Sequence, residues 1–332
     1  MVQLAKFLDN YDTVIFDMDG VVTSEDNYWT CAALTVWELL FEDTASVSEM
    51  ELNSKHIRKT VMCDDKLISL LKNKGVNSNW DLAYVIYAVC RIYDTTDFGK
   101  VMDICSEFGD NILNEYAQLE KELTVKTGLD GSRNGKIWTD IMLVFQEWFL
   151  GEKLFISKYN CTPKHSGKRG LIENEKPIID NRCLIDIFSL LSSNIKRVAM
   201  ATGRPGDEII KPLERFGIVN YFSEDGLINY DYISNAENNL SVALSKPHPY
   251  IFLKAMLGNS YPDKNIIDGD FDKELINKTL IVGDAGADII AAKAIGADFC
   301  AVLTGVSGKK AKNYFEELGA KYIFDSLEDF II

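Results

Sequence analysis

The sequence predicts an α/β protein: a doubly wound, Rossmann-like parallel sheet, interrupted after its first strand by an all-helical cap domain. Three observations carry this expectation. Short β-favouring apolar runs stand at 13–16, 197–201, 279–282 and 299–302. Helical patterns alternate with the late runs, as in sheets built with right-handed crossovers. Between the first run and the second, about 150 residues show helical spacing and no convincing strand.

Taken in order, Thr13-Val14-Ile15-Phe16 is a continuous apolar run that stops abruptly at Asp17. A strand with no polar face suits the buried centre of a parallel sheet. In the insertion, Trp29, Ala32, Ala33, Val36 and Leu40 fall on one helical face. So do Leu82, Val85, Ile86, Val89, Ile92 and Tyr93, and then Trp138, Ile141, Met142, Phe145, Trp148 and Phe149. Gly167-Lys168-Arg169-Gly170 and Lys176-Pro177 mark the way back to the sheet. The expected division is therefore 1–24 and 179–332 for the core and 25–178 for the cap. Beyond it, Arg197–Ala201, Thr279–Val282 and Phe299–Val302 read as strands, with Tyr221-Phe222 and Tyr322-Ile323-Phe324 as weaker candidates. Gly296 and Gly319 close the helices that carry Ile289 and Phe315.

Composition narrows the function. A chain of 332 residues buries a substantial core. Its net charge of −15 disfavours nucleic acid and anionic membrane as partners, because the mean field repels a polyanion. No apolar run reaches membrane-spanning length and the N-terminus lacks the order of a secretory signal, so a cytoplasmic location is expected. Seven scattered cysteines without a Cys-x-x-Cys pair read as reduced thiols, neither disulfide framework nor zinc site.

Four motifs lie at strand ends or at the helix start after one. Asp17-Met18-Asp19-Gly20 places two carboxylates where open α/β sheets bind ligands. One can attack phosphorus and the other can move the proton of the leaving group; Gly20 lets the backbone turn away. The alternative is an acidic turn capping the next segment. A calcium loop is excluded, since Val22 and Tyr28 stand where it needs glycine and glutamate. Thr202-Gly203-Arg204 offers a hydroxyl and backbone N–H groups to phosphoryl oxygens, or else a simple N-cap with a glycine turn. Lys246-Pro247-His248-Pro249 sets a lysine at a helix start, a poor place for a cation unless an anion is close; His248 between prolines reads as structural. Gly283-Asp284-Ala285-Gly286-Ala287-Asp288 adds a second carboxylate pair, whose hard oxygens suit Mg²⁺, although Asp288 could equally cap the next helix. Asp17, Asp19, Asp284 and Asp288 gathered in one place repel each other, and a cation with Lys246 relieves that repulsion.

In this order and spacing, the four motifs resemble those of the haloacid-dehalogenase-like (HAD) hydrolase superfamily, in the phosphatase and phosphomutase branches with a helical cap of the first type. The likeness covers about residues 11–24 and 183–326. It implies Asp17 as nucleophile, Asp19 as general acid/base, Thr202 as hydrogen-bond donor to the phosphoryl group and Lys246 as its counter-charge. It also implies Mg²⁺ held by the Asp17 carboxylate, the Asp19 carbonyl, Asp284 and Asp288. The implied reaction is hydrolysis of a small phosphorylated metabolite through an aspartyl-phosphate, with a sugar phosphomutase or a non-catalytic phospholigand binder as alternatives. Ser24 stands where many relatives carry aspartate. Gly20, Gly203 and Arg204, with Lys168 and Arg169 of the basic 164–169 loop, are the candidate substrate contacts; for that loop a surface segment is the competing reading.

Overall fold

A computed structural model describes residues 2–42, 45–76, 78–109 and 112–332. The chain divides into two compact units, Met1–Glu25 with Glu175–Ile332, and Asp26–Asn174.

The first unit is built round β1 (Thr13–Phe16), which is buried along its whole length. It pairs in parallel with β2 (Arg197–Ala201) on one side and β4 (Thr279–Gly283) on the other. With β3 (Leu227–Ile228), β5 (Asp298–Val302) and β6 (Tyr322–Phe324), the sheet runs β3-β2-β1-β4-β5-β6, every neighbouring pair parallel.

Side chains alternate across the pleat, so β1 feeds two cores. Val14 and Phe16 join Leu184, Ile187, Phe188 and Leu191 of the helix Asn181–Asn194. Ile15 joins Ile251, Phe252 and Ala255 of Tyr250–Leu257, and Ile289 and Ala292 of Gly286–Ile295. Phe16 and Ile15 are fully buried, each contributing roughly 1.5–3 kcal/mol of hydrophobic stabilisation. Helices cover both faces, which makes the sheet doubly wound. The winding reverses beside β1, and a ligand crevice opens at the carboxyl ends of strands at such a point.

Two expectations about the first unit need correction. Tyr221-Phe222 is no strand: Val219–Tyr221 forms a 3₁₀ turn, and Phe222 packs its ring 5.0 Å from Phe188. The edge strand is the two-residue β3 instead. The return from the insertion also joins the core earlier than residue 179. Ser24 N–H donates to Lys176 O at 3.2 Å, Ile178 N–H to Val22 O at 2.9 Å, and Thr23 bridges Pro177, so 175–178 belong to the first unit.

The described residues of the second unit form helices and turns, with no strand. The Asp26–Leu40 helix packs against Ser54–Val61, Asn79–Ile92 and Lys136–Tyr159. The last of these breaks at Gly151, whose φ is 76° and whose missing side chain lets the Arg169 carbonyl approach. That crossing folds 168–170 back onto the helices. Lys168 is consequently buried between Glu38 at 2.8 Å and Glu147 at 2.5 Å, its ammonium 4.7 Å from the Trp148 ring. An ammonium enclosed by two carboxylates is a structural cation, so the expectation that Lys168 meets substrate is overturned. Arg169 keeps its side chain 85% exposed and lies 3.4 Å from Glu51.

Candidate active site

Register brings the motifs together. Phe16 lies opposite both Met200 and Val282, so Asp17, Thr202 and Asp284 emerge within two residues of one another's level at the carboxyl edge. Asp17 N–H donates to Val282 O at 2.9 Å, extending the ladder to Asp17 itself. The main chain of Asp17 is thereby fixed at the end of the sheet.

Lys246 reaches the same point from another segment. Its ammonium donates to Asp17 Oδ1 at 2.8 Å and to Ala201 O at 3.1 Å, and lies 2.9 Å from Asp288 Oδ1. Burial pushes the Asp17 carboxyl up, to about 7; Lys246 opposes the rise, while Asp288 and Asp19 add to it. For Lys246, burial acts to lower the pKa, but Asp17 and Asp288 outweigh it and hold the group charged, above its ordinary value. His248 accepts a hydrogen bond from Tyr250 N–H at 3.2 Å, a local turn contact.

Asp17, Asp284 and Asp288 each offer an oxygen within 4.8 Å of the others. Opposite ligands of one Mg²⁺ stand about 4.2 Å apart, so this all-oxygen set fits a hard divalent cation. Two glycines make room for the Asp284 carboxylate. A Cβ on Gly20, whose φ is +72°, would lie 2.2 Å from Asp284 Oδ2, and one on Gly305 would lie 1.9 Å away. Asp288 closes the group from the first turn of its helix, accepting from Ala285 N–H at 3.4 Å.

Thr202 is fully buried; its N–H donates to Ile228 O at 3.0 Å and its hydroxyl oxygen accepts from Arg204 N–H at 3.2 Å. That leaves the hydroxyl proton to be donated elsewhere. Gly203 is exposed, and a Cβ placed there would meet nothing within 4 Å, so the backbone faces open space at this turn.

Arg204 departs from expectation. It is buried, 3% exposed, and its guanidinium grips carboxylates of the protein. Nε lies 3.0 Å from Asp19 Oδ2 and Nη2 2.6 Å from Asp19 Oδ1, while Nη2 and Nη1 reach Glu175 at 2.7 and 3.1 Å. A cation so engaged is not a solvent-facing substrate contact. Burial pushes Glu175 above its ordinary value, although Arg204 pulls the other way.

Sequence reasoning misses Glu175, Thr23, Thr304 and Gly305. Thr23 Oγ1 donates to Asp19 Oδ1 at 3.3 Å, and Thr304 Oγ1 donates to Gly20 O. One signal is present: Thr304-Gly305 repeats after β5 the dipeptide that follows β2. Nothing local marks Glu175, because its partner lies 29 residues away.

Part of the chain matches a known family, and its fold is shared with solved structures. Residues 243–330, which include Lys246, Asp284 and Asp288, match the family model described as HAD-hydrolase-like. A solved structural-genomics target of unstated activity is 27% identical, with 96% of this chain and 97% of that chain covered at a TM-score of 0.77. Phosphatase Tt82 from Thermococcus thioreducens shares the fold at 17% identity and a TM-score of 0.50, covering 92% of this chain and 99% of that one. The search of curated proteins returns no match. A strand-end carboxylate cluster with a lysine beside it thus stands at the carboxyl edge of a doubly wound sheet. Residues 243–330 are similar to the haloacid-dehalogenase-like hydrolases, and the chain as a whole shares its fold with the 27% identical structure.

Proposed function

We propose that this protein is a Mg²⁺-dependent phosphatase of small phosphate monoesters, working through an aspartyl-phosphate on Asp17. The observation that carries the reading is the meeting of Asp17, Asp284 and Asp288 oxygens within 4.8 Å beside the Lys246 ammonium. Mg²⁺ bound by these carboxylates and the Asp19 carbonyl would neutralise phosphoryl oxygens.

The chain's own residues do the rest. Asp17 attacks phosphorus, with its carboxylate anchored at the end of β1 for in-line approach. Asp19 gives its proton to the departing alcohol and then takes one from the water that cleaves the acyl phosphate. Lys246 favours the ionised form of Asp17 against burial and the charge of its neighbours, and offsets the negative charge of the phosphoryl group. The Thr202 hydroxyl and the backbone at Gly203 donate hydrogen bonds to it.

Asp17→Asn removes the nucleophile and keeps the side-chain volume. Turnover of phosphate esters in Mg²⁺ falls at least about 10³-fold, with the fold retained; wild-type rates in a homogeneous preparation would refute the mechanism. Release of inorganic phosphate, against an isomerised sugar phosphate, separates hydrolysis from mutase chemistry at the same site.

A further inference from the structure

We infer that Arg204 is a positioning residue for the general acid: it fixes the Asp19 carboxylate and ties it to both points where the chain leaves and re-enters the core around the insertion. The inference rests on the reading of Asp19 as general acid.

The geometry is specific. One edge of the guanidinium takes Asp19, with Nε at 3.2 Å from Oδ1 and 3.0 Å from Oδ2, and Nη2 at 2.6 Å from Oδ1. The other edge takes Glu175, with Nη2 at 2.7 Å from Oε1 and Nη1 at 3.1 Å from Oε2. Nη2 also donates to Thr23 Oγ1 at 3.1 Å, and Nη1 to Glu208 O at 3.3 Å. Thr23 stands just before the first unit's outgoing chain ends at Glu25, and Glu175 is where that unit resumes.

A single buried side chain therefore joins the outgoing chain, the returning chain and the proton-transfer residue. Only a planar fork meets two carboxylates edge-on at once; an ammonium is a point charge and cannot. The ion pair is too buried to be a solvated surface bridge, for Glu175 has a fully buried side chain and Arg204 is 3% exposed. Its cost in desolvation calls for more than bulk stability. Asp19, at 24% side-chain exposure, is the member of the trio most open to solvent.

The test compares kcat/KM in Mg²⁺ on two probes. 2-Phenylethyl phosphate loses an alkoxide that needs a proton; 4-nitrophenyl phosphate loses a phenolate that does not. General acid catalysis is worth about 10²–10⁴-fold. Arg204→Lys, which keeps the charge and loses the fork, lowers kcat/KM about 10–100-fold on the alkyl ester and less than about 3-fold on the aryl ester. Glu175→Gln shifts the same ratio in the same direction, and takes its place should Arg204→Lys fail to fold. Added to Asp19→Asn, Arg204→Lys costs nothing further beyond about 2-fold on the alkyl ester, because it acts through a group already removed. Equal losses on both esters, a gain on the alkyl ester, or multiplicative losses in the double variant would overturn the inference and leave the phosphatase reading standing. An unchanged alkyl-to-aryl ratio in Asp19→Asn itself would instead remove the general-acid reading, and this inference with it.

Discussion

Gly20→Ala isolates the link between backbone and metal site. The new Cβ would stand 2.2 Å from Asp284 Oδ2, where side-chain carbons keep at least 3.0 Å, so the carboxylate must retreat by roughly 0.8 Å. The backbone at φ +72° adds strain of about 1–2 kcal/mol for any residue with a side chain. For a unit of this size that strain corresponds to a Tm lowered by roughly 2–8 °C. Displacement of a ligand by most of an ångström is the larger functional effect, because misplacement of about 1 Å can cost about 10²-fold in rate. Mg²⁺ affinity is read by calorimetric titration and compared with Gly203→Ala, where nothing lies within 4 Å of the added methyl. The expected result is Mg²⁺ binding weakened at least about 10-fold in Gly20→Ala, and unchanged in Gly203→Ala. Wild-type Mg²⁺ affinity in Gly20→Ala would show that Asp284 does not sit where a cation needs it, and the reasoning would fail.

Two further predictions concern the insertion. Lys168→Met leaves Glu38 and Glu147 buried without their shared cation and destabilises by about 3–5 kcal/mol, read as a lower urea midpoint. Arg169→Ala, at a side chain 85% exposed, leaves the midpoint where it was; a comparable loss from both variants would contradict the assignment of Lys168 as the structural cation. All seven cysteines are free thiols, and burial pushes Cys90 and Cys105 up to about 12. A raised thiol pKa means less thiolate, about 1 part in 10⁴ at pH 8 for such a group. Iodoacetamide at that pH should therefore label the exposed Cys161 first, by mass spectrometry. Alkylation of Cys90 or Cys105 at the rate of Cys161 in folded protein would refute the burial argument.

Much of the core is legible in the sequence because β1, β2 and β4 are largely apolar runs, each followed by a residue with chemistry. Asp17 declares itself by following Phe16, and Asp284 by following Val282-Gly283, with a charge that no buried strand could hold. The edge is less legible. β3 pairs through only Met200–Leu227 and Ala201–Ile228, too short to show a period, while the stronger apolar pair Tyr221-Phe222 serves the core beside Phe188. Arg204 and Lys168 look like substrate contacts in the sequence because a basic residue near a loop glycine looks solvated. What buries each is a pair of carboxylates, of which Glu175 and Glu38 lie 29 and 130 residues away, and local sequence carries no record of such partners. The same limit hides Gly305, whose importance comes from a carboxylate on another strand.

The place of β1 has a consequence for synthesis. It emerges before both of its neighbours, which begin at Arg197 and Thr279, so its hydrogen-bonding edges wait for those later segments to be made. Closing such long loops slows folding far more than it weakens the folded state. The helices of Asp26–Asn174 find their partners within that one segment and can form on the ribosome in the interval. Asp17 would then acquire the surroundings that the proposed mechanism needs only when the segment bearing Asp284 has been translated, so a prematurely terminated chain carries the proposed nucleophile without the means to use it.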